Sequence, residues 1–316
     1  MESKYTGAMD TQNLQAFLAV ADQDSFSEAA SQLHLTQPAV SKRIAALEQQ
    51  LGSRLFDRLG RRITLTEAGR ALLPRARQIL LEVDDTRRLI SDLSGKVGGT
   101  LALATSHHIG LHRLPPILRE FSRAYPQVSL TLDFLDSEKA YEQVVQGRYD
   151  VAIITLAPES EATANSGMPA IKVDERIQAH SLWPDSLRFV AAPDHALARG
   201  DQLSLQSLSP YPAILPDFNT YTTRLIKGMF DSRGVDLAIT MATNHLDTIK
   251  MMVSIGLGWA VLPDTLIDQQ LQVLDIEGLH VTRKLGCIYH RERRQSNAAS
   301  AFVALLRQEQ INIHTR

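Results

Sequence analysis

Cysteine is nearly absent: Cys287 is the only one in 316 residues. An intrachain disulfide is therefore excluded, and a reducing compartment fits the composition. The setting Leu285-Gly-Cys-Ile-Tyr289 reads as a strand, which predicts a buried structural thiol rather than a reactive one. No apolar run reaches the roughly 18 residues that a membrane-spanning helix needs. The opening Met1-Glu-Ser-Lys-Tyr-Thr-Gly-Ala-Met-Asp10 lacks the charged-then-apolar order of an export signal. A cytoplasmic location without a membrane partner is expected. Also missing are a Gly-x-Ser-x-Gly elbow, a phosphate-cradling glycine loop, a Cys-x-x-Cys pair and any fixed-period repeat. What remains is an ordinary globular composition, 44% hydrophobic and 22% charged, at a length that implies two or three domains.

The net charge of -2 hides an asymmetry. Residues 36–77 carry nine basic side chains against three acidic ones, a local +6 that leaves -8 for the rest. A basic segment joined to an acidic body is expected where one part meets phosphate and the other does not.

That basic segment has the order of a winged helix-turn-helix. A first helix, roughly Leu14 to Ala21, would bury Leu14, Phe17, Leu18 and Ala21. Ser25 and Glu28 form a capping-box pattern that starts a second helix through Leu33. Thr36 is placed to cap a third helix, with Pro38 in its first turn, where the missing amide does no harm. Val40, Ile44, Leu47 and Leu51 share one stripe and should face the core, while Pro38, Lys42, Ala45 and Gln49 point away. Gln37 and Ser41 are then placed for base edges, Pro38 and Ala45 for apolar groove surface and Lys42 for phosphate, with Thr36 and Arg43 in the same DNA-binding set. Gly52 ends the helix, and Phe56 to Thr66 alternates as a hairpin whose turn is Gly60-Arg61-Arg62. Arg54, Arg58, Arg61 and Arg62 complete the expected DNA-binding set, with the wing along the backbone or in the minor groove. A solvated helical bundle with a charged surface is the competing explanation, but it leaves the ordered combination unexplained.

From Thr66 a long helix is expected to about Leu93. Leu72, Ala76, Ile79, Val83, Thr86, Ile90 and Leu93 recur at alternating steps of four and three, the seam of a coiled coil. Such a stripe calls for a partner helix of similar length, hence a dimer and an operator with dyad symmetry.

After Ser94-Gly-Lys-Val-Gly-Gly99 the pattern changes. Strands at Thr100–Thr105, Val128–Phe134 and Asp150–Leu156 alternate with helices at Leu114–Ala124 and Glu138–Gln146, which implies a parallel sheet with covered faces. A second α/β set runs through Ser186–Ala191, Ala213–Leu215, Tyr221–Ser232, Leu237–Thr243, Leu246–Ile255 and Trp259–Leu262. A strand over Leu279–Tyr289 and a helix over Ala298–Gln308 close the chain. The expected architecture is an α-rich head on an α/β body: a head at residues 9–66, a linker helix at 67–94, and two lobes. The first lobe takes 98–184 and 264–316, the second 185–263, with the chain returning near Pro263.

The chain resembles the LysR-type transcriptional regulators over essentially its whole length. Phe17 to Val20, Ser25-Phe-Ser-Glu-Ala-Ala30, Thr36-Gln-Pro-Ala-Val-Ser41, Leu47-Glu48, Leu51-Gly52, Leu55-Phe56-Asp-Arg58 and Leu65-Thr66-Glu-Ala-Gly69 carry the resemblance. Val253-Ser-Ile-Gly-Leu-Gly258 adds a weaker signal. The resemblance implies a winged N-terminal domain, a linker-helix dimer, frequent tetramers, a periplasmic-binding-protein-like effector domain and a small-molecule coinducer between its lobes. RNA polymerase is a further candidate partner. Two features depart from the family: the long polar stretch Ala157–Pro169, and the eight residues before Met9.

Open α/β sheets bind ligands beyond the carboxyl ends of their strands, where helix N-termini offer unpaired amides. Three junctions stand out: Thr105-Ser106-His107-His108, Asn219 to Thr223 (with Thr220 and Thr222 foremost), and Thr243-Asn244-His245 with Asp247 as a capping partner. Hydroxyls, amides and imidazoles at such positions suit a small carboxylate or an inorganic oxyanion. Sulfur-responsive members of the resembled family bind oxyanions, which makes sulfite or sulfate a candidate. The same residues also serve as plain helix caps whether or not a ligand exists. A metal hydrolase built on His107, His108 and His112 lacks the paired acidic motif and outer partners that zinc chemistry needs. A solute-binding protein without a regulatory role leaves the basic head unexplained. No metal, no cofactor and no catalysis are expected.

Overall fold

The computed structural model describes residues 10–59, 62–93, 95–157, 173–200 and 202–314. The wing residues Gly60 and Arg61, the polar stretch from Pro158, and Met9 lie outside the described residues. The chain divides into two compact units, residues 1–93 and 94–316.

In the first unit, α1 (Thr11–Gln23), α2 (Phe26–Gln32) and α3 (Gln37–Leu51) pack around Phe17, Val20, Phe26, Val40 and Leu47. Asp10 caps α1 and Ser25 caps α2 through their side chains, each taking one of the amides that a helix start leaves without a partner. Thr36 stands at the N-cap of α3 but makes no side-chain capping bond, contrary to expectation; Pro38 in the first turn already removes one amide that would need a partner. The tight turn before α3 places His34 at φ 53°. Gly52 ends α3 at φ 63°, its amide and that of Ser53 closing on the last carbonyls of the helix. Leu51 is 38% exposed, so the buried stripe of α3 stops at Leu47.

The antiparallel strands β1 (Phe56–Leu59) and β2 (Arg62–Leu65) form the wing, and Phe56 packs its ring against Phe17 and Phe26. The linker helix α4 (Glu67–Asp92) starts from a side-chain cap by Thr66. Its first half joins the head: Ala76 is fully buried, and Leu72, Leu73 and Leu80 pack on the same core. Further along, Ile79, Ile90 and Leu93 are exposed.

The second unit is built on a sheet of seven described strands: β3 (Gly99–Thr105), β4 (Val128–Phe134), β5 (Val151–Thr155), β6 (Ile177–Ala191), β9 (Ala260–Pro263), β10 (Gln272–Leu274) and β11 (Val281–His290). The pairings of β3 with β4 and with β5 are parallel, as expected for those three strands, while β11 pairs antiparallel with β5 and with β6, so the sheet as a whole is mixed. Helices α5 (His107–His112), α6 (Pro115–Ala124), α7 (Ser137–Val145) and the terminal α11 (Asn297–His314) belong to this part of the chain. A short α8 (Leu205–Leu208), β7 (Ala213–Leu215), α9 (Tyr221–Asp231), β8 (Ile239–Ala242) and α10 (Leu246–Ser254) build the second lobe.

Each lobe has its own core. In the first, Phe121 meets Phe302 edge-on above Leu101, Leu103 and Ile153. In the second, fully buried Trp259 stacks on Phe230 and donates its indole N–H to the carbonyls of Leu208 and Tyr211. The long strands β6 and β11 thread both cores: Trp183 and Leu285 belong to the first, Leu187 and Val281 to the second. Leu266, Leu271, Leu274 and Ile276 pack with the second lobe, so the return crossing lies near residues 282–285, not at Pro263. The crossing falls in the middle of β11, at the polar run Thr282-Arg283-Lys284 between buried Val281 and Leu285.

Gly69 lies where α4 passes the wing; a Cβ there would stand 2.2 Å from the Leu55 carbonyl oxygen and 2.9 Å from Leu65 Cδ2. Gly69→Ala should cost the first unit about 1–3 kcal/mol. Both tryptophans, Trp183 and Trp259, lie in the second unit. The variant should therefore lower the urea midpoint seen by far-UV circular dichroism and leave the tryptophan-fluorescence transition in place.

Candidate functional site

On α3 the side chains fall into two sets. Thr36, Gln37, Pro38, Lys42, Ala45 and Gln49 are exposed along one face, and Ser41 is half-buried beside them. Arg43 is half-buried and donates from Nη2 to Gln12 Oε1 at 2.9 Å, which fixes it against α1. Glu48 is likewise structural: its Oε1 accepts the Leu55 amide at 2.7 Å. Arg54 is exposed next to the wing. The side chains of Arg58 and Arg62, and all of Arg61, lie outside the described residues. Two further basic residues of the +6 segment serve the fold: Arg70 donates to the Leu65 carbonyl, and Arg77 pairs with Asp22 at 2.7 Å.

In the second unit, four strand-to-helix junctions converge on a narrow cleft. Ser106, His107 and His108 come from the β3–α5 junction, and Asp136, Ser137 and Glu138 from β4–α7. Thr220, Tyr221 and Thr222 open α9, Asn244 and Leu246 open α10, and Arg283 on β11 completes the floor.

The floor is an ion pair at the crossing between the lobes. Arg283 faces Asp185 in the register of β11 against β6, and its Nε lies 2.7 Å from Asp185 Oδ2. Arg283 Nη1 donates to Thr222 Oγ1 at 2.8 Å, tying the second lobe to the same guanidinium. Asp185 is 2% exposed and has Arg113 as a second cation at 4.0 Å. A pair this dry survives only because each charge finds its partner and further hydrogen bonds.

The walls join across the cleft. Asn244 Nδ2 donates to Asp136 Oδ2 at 2.9 Å, and Asn244 Oδ1 accepts the Asp217 amide at 2.8 Å. Glu138 Oε1 accepts the Tyr221 amide at 2.6 Å, at the start of α9. Burial raises the Glu138 carboxyl above its ordinary range, against the lowering effect of the Tyr221 bond and of Arg224. The ring of His107 stacks on Phe134 at 4.9 Å and meets His245 edge-on at 4.6 Å.

His108 is 4% exposed. Its Nε2 lies 3.4 Å from Thr265 Oγ1, and its Nδ1 has no partner. Burial, then the charge of Arg283, pulls its pKa down to about 3, so it is a neutral ring at physiological pH. Among the described residues no group of three or more His, Cys, Asp or Glu side chains is placed to hold a metal ion.

Of the effector residues expected from sequence, Ser106, His107, His108, Thr220, Thr222 and Asn244 line the cleft. Thr105 does not: it is fully buried, and its hydroxyl donates to the Ile153 carbonyl at 2.8 Å. His245 contacts the cleft only through His107. Asp247 is in the first turn of α10 but 3.9 Å from His112 Nε2 rather than in a capping role; His245, at the N-cap, makes no side-chain capping bond. Sequence reasoning missed Asp136, Ser137 and Glu138, although they sit at a fourth strand-to-helix junction and the same rule would have found them. It also missed Arg283 and Asp185, which lie inside strands and carry no local signal.

A winged helix-turn-helix followed by a long helix and a two-lobed α/β body with a polar cleft defines a ligand-responsive DNA-binding regulator. Residues 11–70 match the bacterial regulatory helix-turn-helix protein, lysR family, and residues 94–310 match the LysR substrate binding domain. The chain belongs to the LysR family of transcriptional regulators. It is similar to the probable RuBisCO transcriptional regulator of Nostoc sp. strain PCC 7120, at 31% identity over 92% of this chain and 85% of that one. Its fold is similar to that of full-length CbnR, a LysR family transcriptional regulator, solved in complex with its target DNA, with a TM-score of 0.61 and 22% identity over 95% of this chain and 99% of that one. It is also similar to the regulatory domain of CcmR from Synechocystis PCC6803, solved in complex with 2-PG, with a TM-score of 0.58 and 20% identity over 68% of this chain and 99% of that one.

The buried imidazole has a thermodynamic consequence. Between pH 6.5 and about 3 the unfolded chain binds a proton at His108 that the folded chain does not. Stability is therefore lost as pH falls through that window, by up to about 1.4 kcal/mol per pH unit. Urea titrations followed by tryptophan fluorescence should show a shallower loss from pH 6.5 to 4 in His108→Gln than in the wild type. Equal slopes would place the proton uptake elsewhere.

Proposed function

We propose that this LysR-type regulator reads duplex DNA with the N-terminal half of α3 and is switched by a small anionic metabolite held between its lobes. The observation that carries the reading is the exposed row Thr36, Gln37, Pro38 and Lys42 on a helix whose opposite face is buried in the head. Gln37 and Ser41 would contact base edges, Pro38 the apolar groove surface, and Thr36 and Lys42 phosphate, with Arg54, Arg58, Arg61 and Arg62 along the backbone. Arg43 joins this set only in part, since one of its nitrogens is held by Gln12.

The effector class follows from the cleft. Hydroxyls at Ser106, Thr220 and Thr222, the Arg283 guanidinium and the start of α9 suit an acidic group. A small carboxylate, or an oxyanion such as sulfite or sulfate, fits that chemistry; the complex of the similar CcmR regulatory domain with 2-PG supports a small ligand. Binding would favour one arrangement of the lobes over another, and only the difference in affinity between the two arrangements can reach the DNA. No enzymatic role is assigned, and the regulator works in the cytoplasm beside its operator, with RNA polymerase as partner where it activates.

The exposed apolar residues of α4 support self-association. Ile90 is 65% and Leu93 74% exposed, on the stripe that also presents Ile79. Pairing of two such stripes gives a dimer, and two dimers a tetramer, on a site of dyad symmetry. Replacing both Ile79 and Ile90 with Glu should weaken self-association at least about tenfold by sedimentation equilibrium. An unchanged association constant would move the interface elsewhere.

DNA binding separates by residue role. Gln37→Ala should cost roughly 1–3 kcal/mol at one operator step and relax base preference there. Lys42→Ala should weaken binding to every duplex and lower the salt slope by about one. Gel-shift titrations across salt concentrations check both, and unchanged binding in both variants would remove α3 from the groove.

A further inference from the structure

The seat best suited to an anion in the cleft is already filled. The amide that opens α9, Tyr221 N–H, is one of those a helix start leaves without an intrahelical partner. Glu138, reaching from the opposite lobe, accepts it at 2.6 Å. The neighbouring Asp136 makes the parallel contact with Asn244 at 2.9 Å, instead of capping its own helix. Two carboxylates of the first lobe are thus docked on the second, where the chemistry of the walls would place a ligand's acid. His108, 4% exposed, also lines the cleft, with its Nδ1 unpartnered.

We propose that Glu138 is the resident anion of the cleft: its carboxylate holds the α9 seat that an effector's acidic group takes, and the effector enters by displacing it. The inference rests on the small-anion reading above and adds the residue that gates it. Glu138 then selects against anions as long as it is charged. A third negative charge beside Asp136 and ionised Glu138 is repelled, and Arg283 cannot offset it alone because it already faces Asp185. Loss of the Glu138 charge removes that barrier, so binding of the anion is accompanied by uptake of a proton at this side chain.

The groups that bear on Glu138 are few. Asp136 on its own element disfavours its charge, and Arg224 on α9 favours it. Tyr221, with its hydroxyl pushed up to about 12, stays neutral, as does His108. His107 lines the cleft as well, so its imidazole is the rival source of any pH effect.

Inorganic sulfate is the probe, titrated into the full-length protein at constant ionic strength while tryptophan fluorescence is followed. Trp183 and Trp259 both belong to the second unit, so the signal does not arise from the DNA-binding head. For the wild type, affinity should rise as pH is lowered from 8 to 6, by up to about tenfold per unit for one proton taken up. Glu138→Gln should bind sulfate about tenfold more tightly than the wild type at pH 8, with affinity nearly constant over that range. Glu138→Ala, which empties the seat outright, should bind at least as tightly as Glu138→Gln. Equal affinities for wild type and both variants at pH 8 would overturn the proposal and leave the anion cleft standing. A pH slope that survives in Glu138→Gln would overturn it in favour of His107. Absence of any sulfate response in all three proteins would overturn both the proposal and the small-anion reading.

Discussion

The second unit depends on one buried ion pair. Asp185 and Arg283 face each other on β6 and β11, where those two strands leave one hydrophobic core and enter the other. A charge in so dry a place is costly alone, by several kcal/mol, and tolerable only when paired. The pair therefore reinforces a register that the buried apolar side chains of the two long strands already favour. It also sets the floor of the cleft, because Arg283 reaches on to Thr222 in the second lobe. The same guanidinium helps to keep the nearby His108 uncharged, so the strand register and the protonation of the cleft share a cause.

Around that floor, the two lobes meet through polar groups that belong to helix starts. Asn244 with Asp136, and the Tyr221 amide with Glu138, are contacts between residues 108 and 83 positions apart in sequence. Such contacts are weak enough to exchange for a ligand and specific enough to hold a defined arrangement without one. Apolar packing between the walls would be harder to reverse, because nothing in a small polar ligand replaces it.

Much of the fold was legible because local signals agree with it. Ser25, Thr66 and Gly52 mark helix ends by their own chemistry, and the stripes of α1 and α3 show where the head core lies. The junction rule likewise led to Ser106, His107, Thr220, Thr222 and Asn244, since a strand followed by a polar helix start is a local pattern. Thr105 failed the same rule by one position: it is the last residue of β3 and turns inward to Ile153. Arg283 and Asp185 were illegible for a different reason. Their roles come from pairing across 98 residues, and a lone charge inside a strand looks like any solvent-facing one until its neighbour is known. The return of the chain to the first lobe, near residues 282–285 rather than at Pro263, was hidden because it falls inside one strand, where only the packing of Val281 and Leu285 on different cores marks the change.

The linker helix is committed at one end and bare at the other: Ala76 and Leu80 belong to the head core, while Ile90 and Leu93 face outward. Each residue added between them would turn the bare stripe by about 100° relative to the head. One or two extra residues would therefore aim it in an unrelated direction, whereas about seven would bring it back to within about 20° of its original azimuth. The spacer's length is thus quantised: insertions of about seven or about eleven residues keep the bare stripe on nearly its original side of the head.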